Sequence, residues 1–334
     1  MSISRAVRRG AGRRASKGGA LLAVLWLCAG LTVIAFSLGI TVRGEIERAY
    51  TGRDGARAYY LAAGGLERAL LYMLWGPNHR LPDGTSLYYF PGRPFLALSF
   101  PAGEAIVEVI PESSKINLNT APPEELFRLL AALGVDSARA QAIVAAILDW
   151  RAPSPDGGLT PLDQFYLSLA PSFRARHASF EEIEEVLLVR GMTPELFYGT
   201  FDADAEGRLV PRGGLRNCIT VFGASGGVDI NTAQPAVLAA LGVPPGAIAA
   251  ILETRQLRPF LVAEQVTPYN PAAGGHLRIG GHSIYTLRAT ARLRLPDGRL
   301  SDLKRSVAAV VKFLPADQSV PYHVLRWYES EWVQ

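Results

Sequence analysis

Residues 19–42 (GALLAVLWLCAGLTVIAFSLGITV) contain no charged side chain. A bilayer-spanning helix needs about 20 apolar residues, so this run of 24 is long enough to cross. A cleavable secretory signal has an apolar core of roughly 7–15 residues. The run exceeds that, although Ala35-Phe36-Ser37 is a weak small-x-small site. A retained anchor is expected, with everything after it folding outside the membrane.

Six basic residues (Arg5, Arg8, Arg9, Arg13, Arg14, Lys17) and no acidic one precede the run. The positive-inside rule places them in the cytoplasm and exports the rest. Of 34 basic residues, 28 then remain against 30 acidic ones, so the formal net charge of +4 belongs to the N-terminal segment. A near-neutral body has no general electrostatic reason to bind nucleic acid. Cys28 lies in the apolar run and Cys218 stands alone beyond it, so no disulfide is expected within the exported part.

Lys17-Gly18 stands immediately before the run. This arrangement resembles the leader of type IV pilins and pseudopilins. The resemblance implies cleavage by prepilin peptidase between Gly18 and Gly19, which removes the charges and leaves the helix in the membrane. Most of that superfamily carries Glu at the fifth mature position, where this chain has Ala23. K-type pseudopilins resemble it in lacking the carboxylate. A subunit without that group cannot pair it with the N-terminal amine of a neighbour ahead, which suits a subunit at a filament tip.

Beyond the run, Ala56, Tyr59, Ala63, Leu66, Leu70 and Met73 recur at helical spacing. One helix over residues 19–74 would be about 84 Å long at roughly 1.5 Å per residue. Gly52, Gly55, Gly64 and Gly65 leave open an anchor followed by a separate packing helix. Trp75-Gly76-Pro77-Asn78 ends the helical pattern. Residues 87–109 read as strands, as do 284–293 and 306–313, with Asp297-Gly298 as a hairpin signal between the last two.

Between these strands the pattern turns helical and contains an internal repeat. Residues 115–151 (KINLNTAPPEELFRLLAALGVDSARAQAIVAAILDWR) align with residues 227–255 (GVDINTAQPAVLAALGVPPGAIAAILETR). Asn119-Thr120 matches Asn231-Thr232, and Gly134 matches Gly242. Thr120 and Thr232 are expected to cap a first helix, prolines to occupy its first turn, and Gly134 or Gly242 to turn the chain into a second helix. Each copy reads as a helix–hairpin–helix of the SAM-like kind. The expected fold class is therefore α+β: a long N-terminal helix on a small antiparallel sheet, pilin-like, with a large all-α insertion. The expected boundaries are a leader (1–18), a spanning helix (19–74), a frame (75–110 and 269–334) and the insertion (111–268).

Such hairpins elsewhere hold DNA phosphates on backbone N–H groups, and a membrane-anchored competence-type DNA receptor is the rival reading. Here the turns are Gly134-Val135-Asp136 and Gly242-Val243-Pro244. The first sets a carboxylate where a phosphate would sit, and the second removes an N–H. Use of the hairpins as packing units is expected, with no nucleic-acid partner.

Residues 114–197 carry the most specific signal. They contain Lys115-Ile116-Asn117-Leu118-Asn119-Thr120-Ala121, then Ile147-Leu148-Asp149-Trp150, then FEEIEEVLLVRGMTPELF over 180–197. In that order, behind that anchor, they resemble the K-type minor pseudopilins of type II secretion systems. The resemblance implies a structural subunit at the tip of the pseudopilus, assisting export of folded proteins across the outer membrane. It also implies I- and J-type minor pseudopilins, the major pseudopilin filament, prepilin peptidase and the inner membrane as partners. The localisation implied is a single pass with the C-terminal body in the periplasm. The family often places calcium in an acid-rich loop after Asp-Trp. Here that loop, residues 149–158, keeps two carboxylates beside Arg151, too few for a hard cation, so no cofactor is expected.

Catalytic groupings are not recognisable. His79, His177, His276, His282 and His323 form no H-E-x-x-H spacing, Gly223-Ala224-Ser225-Gly226-Gly227 lacks the Gly-Lys-Ser/Thr ending of a phosphate loop, and no Gly-x-Ser-x-Gly elbow occurs. The expectation is a protein without catalytic, cofactor or metal residues. Asp202 to Gly207 reads as a solvated turn, and the aromatic tail (Tyr322, Trp327, Tyr328, Trp332) either meets a partner or packs back on the frame.

Overall fold

A computed structural model describes residues 19–82, 86–154, 157–223, 226–270, 277–315 and 318–329. The leader with Gly18, and Asp156, Ser225, His276 and Trp332, lie outside the described residues. The chain divides into two units, residues 1–56 and 57–334.

In the first unit all described residues are helical and belong to α1, Gly19–Trp75. Leu21, Leu25, Trp26, Ile34 and Phe36 are exposed, as is Ala23. Among the described residues this is the one helix long and apolar enough to cross a membrane, and it fits a single-pass anchor. The glycines at 52, 55, 64 and 65 do not interrupt it, so the single-helix alternative holds.

In the second unit the last turns of α1 cover one face of an antiparallel sheet. The first two strands are β1, Phe95–Phe100, and β2, Gly103–Pro111. Residues 87–94, expected as strand, are irregular because Pro91 and Pro94 cannot donate to a ladder. After β2 the chain leaves the sheet and builds β3 (Ile116–Asn117), α2 (Pro123–Ala132), α3 (Ser137–Arg151), α4 (Pro161–Leu167) and α5 (Pro194–Tyr198). There follow β4 (Gly199–Ala203), β5 (Leu209–Gly213), β6 (Ile219–Thr220) and β7 (Val228–Asp229). Then come α6 (Pro235–Ala240), α7 (Pro245–Leu257), α8 (Ala263–Val266) and β8 (Leu277–Arg278). The chain rejoins the sheet as β9 (Ile284–Arg294), β10 (Leu300–Phe313) and β11 (Tyr322–Tyr328). The strand order is β1-β2-β9-β10-β11, every neighbouring pair antiparallel.

Two corrections to the sequence reading concern the segment between β2 and β9. It is not all-α. The β4–β5 hairpin forms because Asp204 Oδ1 accepts from the N–H groups of Glu206 and Arg208 and Gly207 takes φ +76°, which closes a tight turn. Short parallel pairs β3–β6 and β7–β8 complete the strands. Through the second pair Leu277 and Arg278, expected in the frame, join β7 instead.

The seam between α1 and the sheet differs from the apolar stripe read by spacing. Leu66, Leu70 and Met73 are buried as expected, but Ala56 is exposed and Tyr59 and Ala63 are half-buried. Ala58, Ala62 and Ala69 are fully buried instead, with Gly65 between them. A Cβ at Gly65 would lie 2.7 Å from Ala105 Cβ on β2. Small residues let the helix axis approach the sheet at this point, with Leu66 and Leu70 buried beside them. On the sheet side Ala105, Val107 and Val109 of β2 and Leu287, Ala289 and Ala291 of β9 alternate inward. The Asp297-Gly298 turn is present, with Gly298 at φ +84° and Leu295 N–H donating to Arg299 O at 2.8 Å. Of the C-terminal aromatics, Tyr322, Trp327 and Tyr328 lie on the edge strand β11 beside β10, Tyr322 packed against the core and Trp327 exposed.

Substituting Gly65→Val is expected to destabilise the protein by about 1–3 kcal/mol, the usual cost of overpacking. Gly64→Ala, whose added Cβ meets nothing within 4 Å, is expected to be neutral or stabilising by up to about 1 kcal/mol through helix propensity. Thermal unfolding of the two variants in detergent checks the contrast.

Candidate functional site

The segment between β2 and β9 is organised by a polar bracket made twice. Asn119 Oδ1 accepts from Phe180 N–H at 2.7 Å, and its Nδ2 donates to Phe180 O at 3.0 Å. Asn231 makes the same two bonds to Phe260, at 2.8 and 3.0 Å. Arg151, at the end of α3, donates to Leu118 O (2.5 Å) and Ala121 O (2.8 Å). Arg255, near the end of α7, donates to Ile230 O (3.1 Å) and Ala233 O (2.7 Å). In each copy the guanidinium closes the carbonyls flanking the asparagine, and the asparagine pins a buried phenylalanine backbone. The Arg151 that the sequence placed in a cation loop serves this closure.

Each copy is therefore longer than the sequence repeat suggested. Glu185 Oε1 accepts from Glu181 and Glu182 N–H, and Gln265 Oε1 accepts from Leu261 and Val262 N–H. Val186 and Val266 follow, both buried. The available signal was Phe180 followed by Glu185-Val186, matched by Phe260 followed by Gln265-Val266. Arg128 Nε on α2 donates to Ala240 O of α6 at 2.7 Å and ties one copy to the other.

Thr120 and Thr232 do not cap the helices. The caps are Pro122 and Gln234, with no side-chain bond. The backbone closes a turn first: Thr120 and Ala121 N–H both donate to Asn117 O, which leaves the threonine too early in the chain. Thr232 Oγ1 donates to Asp229 Oδ2 at 2.5 Å instead. Gly134 and Gly242 take φ +83° and +89°, the left-handed conformation that lets the chain reverse between two helices. After Gly134, Asp136 Oδ1 accepts from Arg139 N–H at 3.0 Å and caps α3. A carboxylate thus occupies the position an anion would take. After Gly242, Pro244 and Pro245 open α7 and withhold two donors.

A buried carboxylate joins this segment to the sheet. Glu112, 3 % exposed, accepts from Lys115 Nζ (2.7 Å), Thr286 Oγ1 of β9 (2.5 Å) and Thr220 Oγ1 of β6. Burial alone would raise its pKa, but the Lys115 ammonium and the hydroxyls hold it below the ordinary value. Asp229, 1 % exposed, accepts from Gly280 N–H at 2.6 Å. Burial raises its pKa against those hydrogen bonds. Burial also pushes the Cys218 thiol up to about 12, which makes it inert at neutral pH. Among the described residues no three His, Cys, Asp or Glu side chains stand close enough to hold a metal ion.

A long N-terminal helix whose last turns cover an antiparallel sheet, the sheet interrupted between adjacent strands by a helix-rich module, defines an α+β protein with an anchor-type helix. Residues 109–198 match the family model described as type II secretion system (T2SS), protein K. The chain is 25 % identical over 329 residues to the type II secretion system protein K of Pseudomonas aeruginosa, covering 91 % of this chain and 93 % of that protein. Its fold is similar to a chain in the crystal structure of the GspK-GspI-GspJ complex from the enterotoxigenic Escherichia coli type 2 secretion system. The TM-score is 0.52 at 17 % identity, over 84 % of this chain and 98 % of that one. The K-type resemblance read from residues 114–197 is borne out by these similarities to type II secretion system protein K.

Asn231 is buried and Asn119 half-buried, so the two brackets differ in cost when removed. Asn231→Ala is expected to destabilise by about 2–4 kcal/mol and Asn119→Ala by about 1–2, since stranded buried backbone groups cost about 1–3 kcal/mol each. Urea denaturation of both variants checks the order.

Proposed function

We propose that this chain is a K-type minor pseudopilin that caps the tip of a type II secretion pseudopilus and assists export of folded proteins across the outer membrane. The observation that carries this reading is the protein K domain at residues 109–198, set between β2 and β9 of a helix-on-sheet frame. We read the segment between β2 and β9 as the inserted domain, extending the expected 111–268 to take in β8, and its two helix pairs as helix–hairpin–helix units used for packing. Asp136 at the first turn and the prolines at the second support that use over phosphate binding. No nucleic acid, cofactor or catalysed reaction belongs to the proposal.

The N-terminal half of α1 anchors the subunit in the inner membrane by a single pass, the leader in the cytoplasm and the body in the periplasm. Prepilin peptidase cleaves between Gly18 and Gly19. Ala23, uncharged at the fifth mature position, needs no amine from a subunit ahead, which supports the terminal place. The bulk between β2 and β9 leaves no room for a further subunit above. The I- and J-type minor pseudopilins are the partners beneath it, and the major pseudopilin filament lies below them.

The full-length chain, co-expressed with the I- and J-type pseudopilins of its own system and purified in detergent, is expected to give an equimolar ternary complex by native mass spectrometry. Failure of both subunits to co-purify, or assembly of several copies of this chain end to end, contradicts the proposal.

A further inference from the structure

The two ends of the sheet carry opposite charge. Residues 111–283, which leave and rejoin the sheet between β2 and β9, hold 13 basic and 18 acidic side chains. At the other end, residues 292–305 form the β9–β10 turn with its flanking strand ends. They hold five basic side chains (Arg292, Arg294, Arg299, Lys304, Arg305) against Asp297 and Asp302. β9 runs from one end to the other over 11 residues, a span of about 36 Å at roughly 3.3 Å per residue.

The basic end is also where the helix joins the sheet. Gly103, the first residue of β2, stands opposite Leu293 of β9, and a Cβ there would lie 2.8 Å from Leu61 Cδ2. Arg57, one helical turn before Leu61, is exposed and adds a sixth base. Glu104 of β2 adds a third carboxylate, 2.9 Å from Arg294. Arg299 pairs with Asp297 at 2.7 Å and Arg292 with Asp302 at 3.9 Å. Lys304 and Arg305 are exposed and make no ion pair among the described residues. Leu295 and Pro296 stand exposed at the turn between these charges.

An excess of bases around an exposed apolar tip is the chemistry that an anionic phospholipid surface recognises. The charge-free run ends at Val42, 15 residues before Arg57. That stretch reaches at most about 50 Å when extended, so the membrane crossed by the run stays near the sheet. Gly44, Gly52 and Gly55 fall within it and lower the cost of bending there. We infer that the β9–β10 turn rests on anionic phospholipid headgroups of the membrane in which α1 is anchored, with the acidic module directed away from that surface. The inference rests on the single-pass reading of α1. One negative surface attracts the basic end and repels the acidic one, so contact and orientation have the same cause. Charges act over about 10 Å in ordinary salt, so the attraction belongs to the groups at the turn and is lost in molar salt.

Two lysines of the chain supply the test. Lys304 and Lys312 are both exposed on β10. Lys304 stands opposite Arg292 at the basic end, and Lys312 opposite Ile284, where the chain returns from the module. The full-length protein is reconstituted in nanodiscs of phosphatidylcholine, alone or mixed with phosphatidylglycerol, and acetylated with acetic anhydride. Mass spectrometry gives the two rates. The ratio of Lys304 to Lys312 acetylation is expected to fall about threefold or more in the anionic discs and to recover in molar salt. Arg299→Gln combined with Arg305→Gln is expected to remove most of that fall. An unchanged ratio in a chain that has entered the discs overturns the inference alone, whereas a chain that does not enter them overturns the anchor as well. A fall that persists in molar salt, survives in the double variant, or needs added I- and J-type pseudopilins assigns the surface to another contact and overturns the inference.

Discussion

The close approach of α1 to β2 sets the geometry on which the frame depends. Ala58, Ala62, Gly65 and Ala69 leave no side chain tall enough to hold the helix off, and Ala105, Ala289 and Ala291 answer them from the sheet. With the helix seated, one face of each strand is buried and its register is fixed, because a one-residue slip would turn Val107 and Leu287 to solvent. β2 and β9 are then adjacent and antiparallel, with Pro111 opposite Tyr285. The chain leaves and re-enters the sheet at one point, so a long segment is accommodated there without altering the strand order.

That segment is built of helices and short strand pairs joined by irregular chain, and polar brackets hold them together. Each asparagine fixes a distant backbone, each arginine closes the turn around it, and Glu112 binds the module to β9 through Thr286. Such bonds add directional constraints that burial alone does not supply. The apolar core they enclose draws on both copies, from Leu126, Leu130 and Ile147 to Val237, Leu238 and Ile251. The two copies therefore stabilise one module and not two separable ones.

The anchor run, the strands β2, β9 and β10, the Asp297-Gly298 turn and the paired helices were legible because local rules decide them: length, alternation, turn chemistry and repetition. The small-residue seam was not, because spacing counts large apolar side chains, whereas helix-to-sheet distance rewards their absence at Gly65. The roles of Asn119 and Asn231 were missed for a different reason. Both were marked by the repeat, but their partners Phe180 and Phe260 lie 61 and 29 residues away, and no local rule reports such a bond. Thr120 and Thr232 looked like caps because the preceding backbone turns, at Asn117 and Asp229, are invisible to residue preference.

The proposal depends on a charged leader being removed while the helix behind it stays in the membrane. The most direct measurement is the N-terminal mass of the membrane-extracted protein, with and without prepilin peptidase. A chain beginning at Gly19, membrane-bound and found only when the peptidase is present, is the predicted result. A soluble protein beginning near residue 38, or an intact Met1 irrespective of the peptidase, contradicts it.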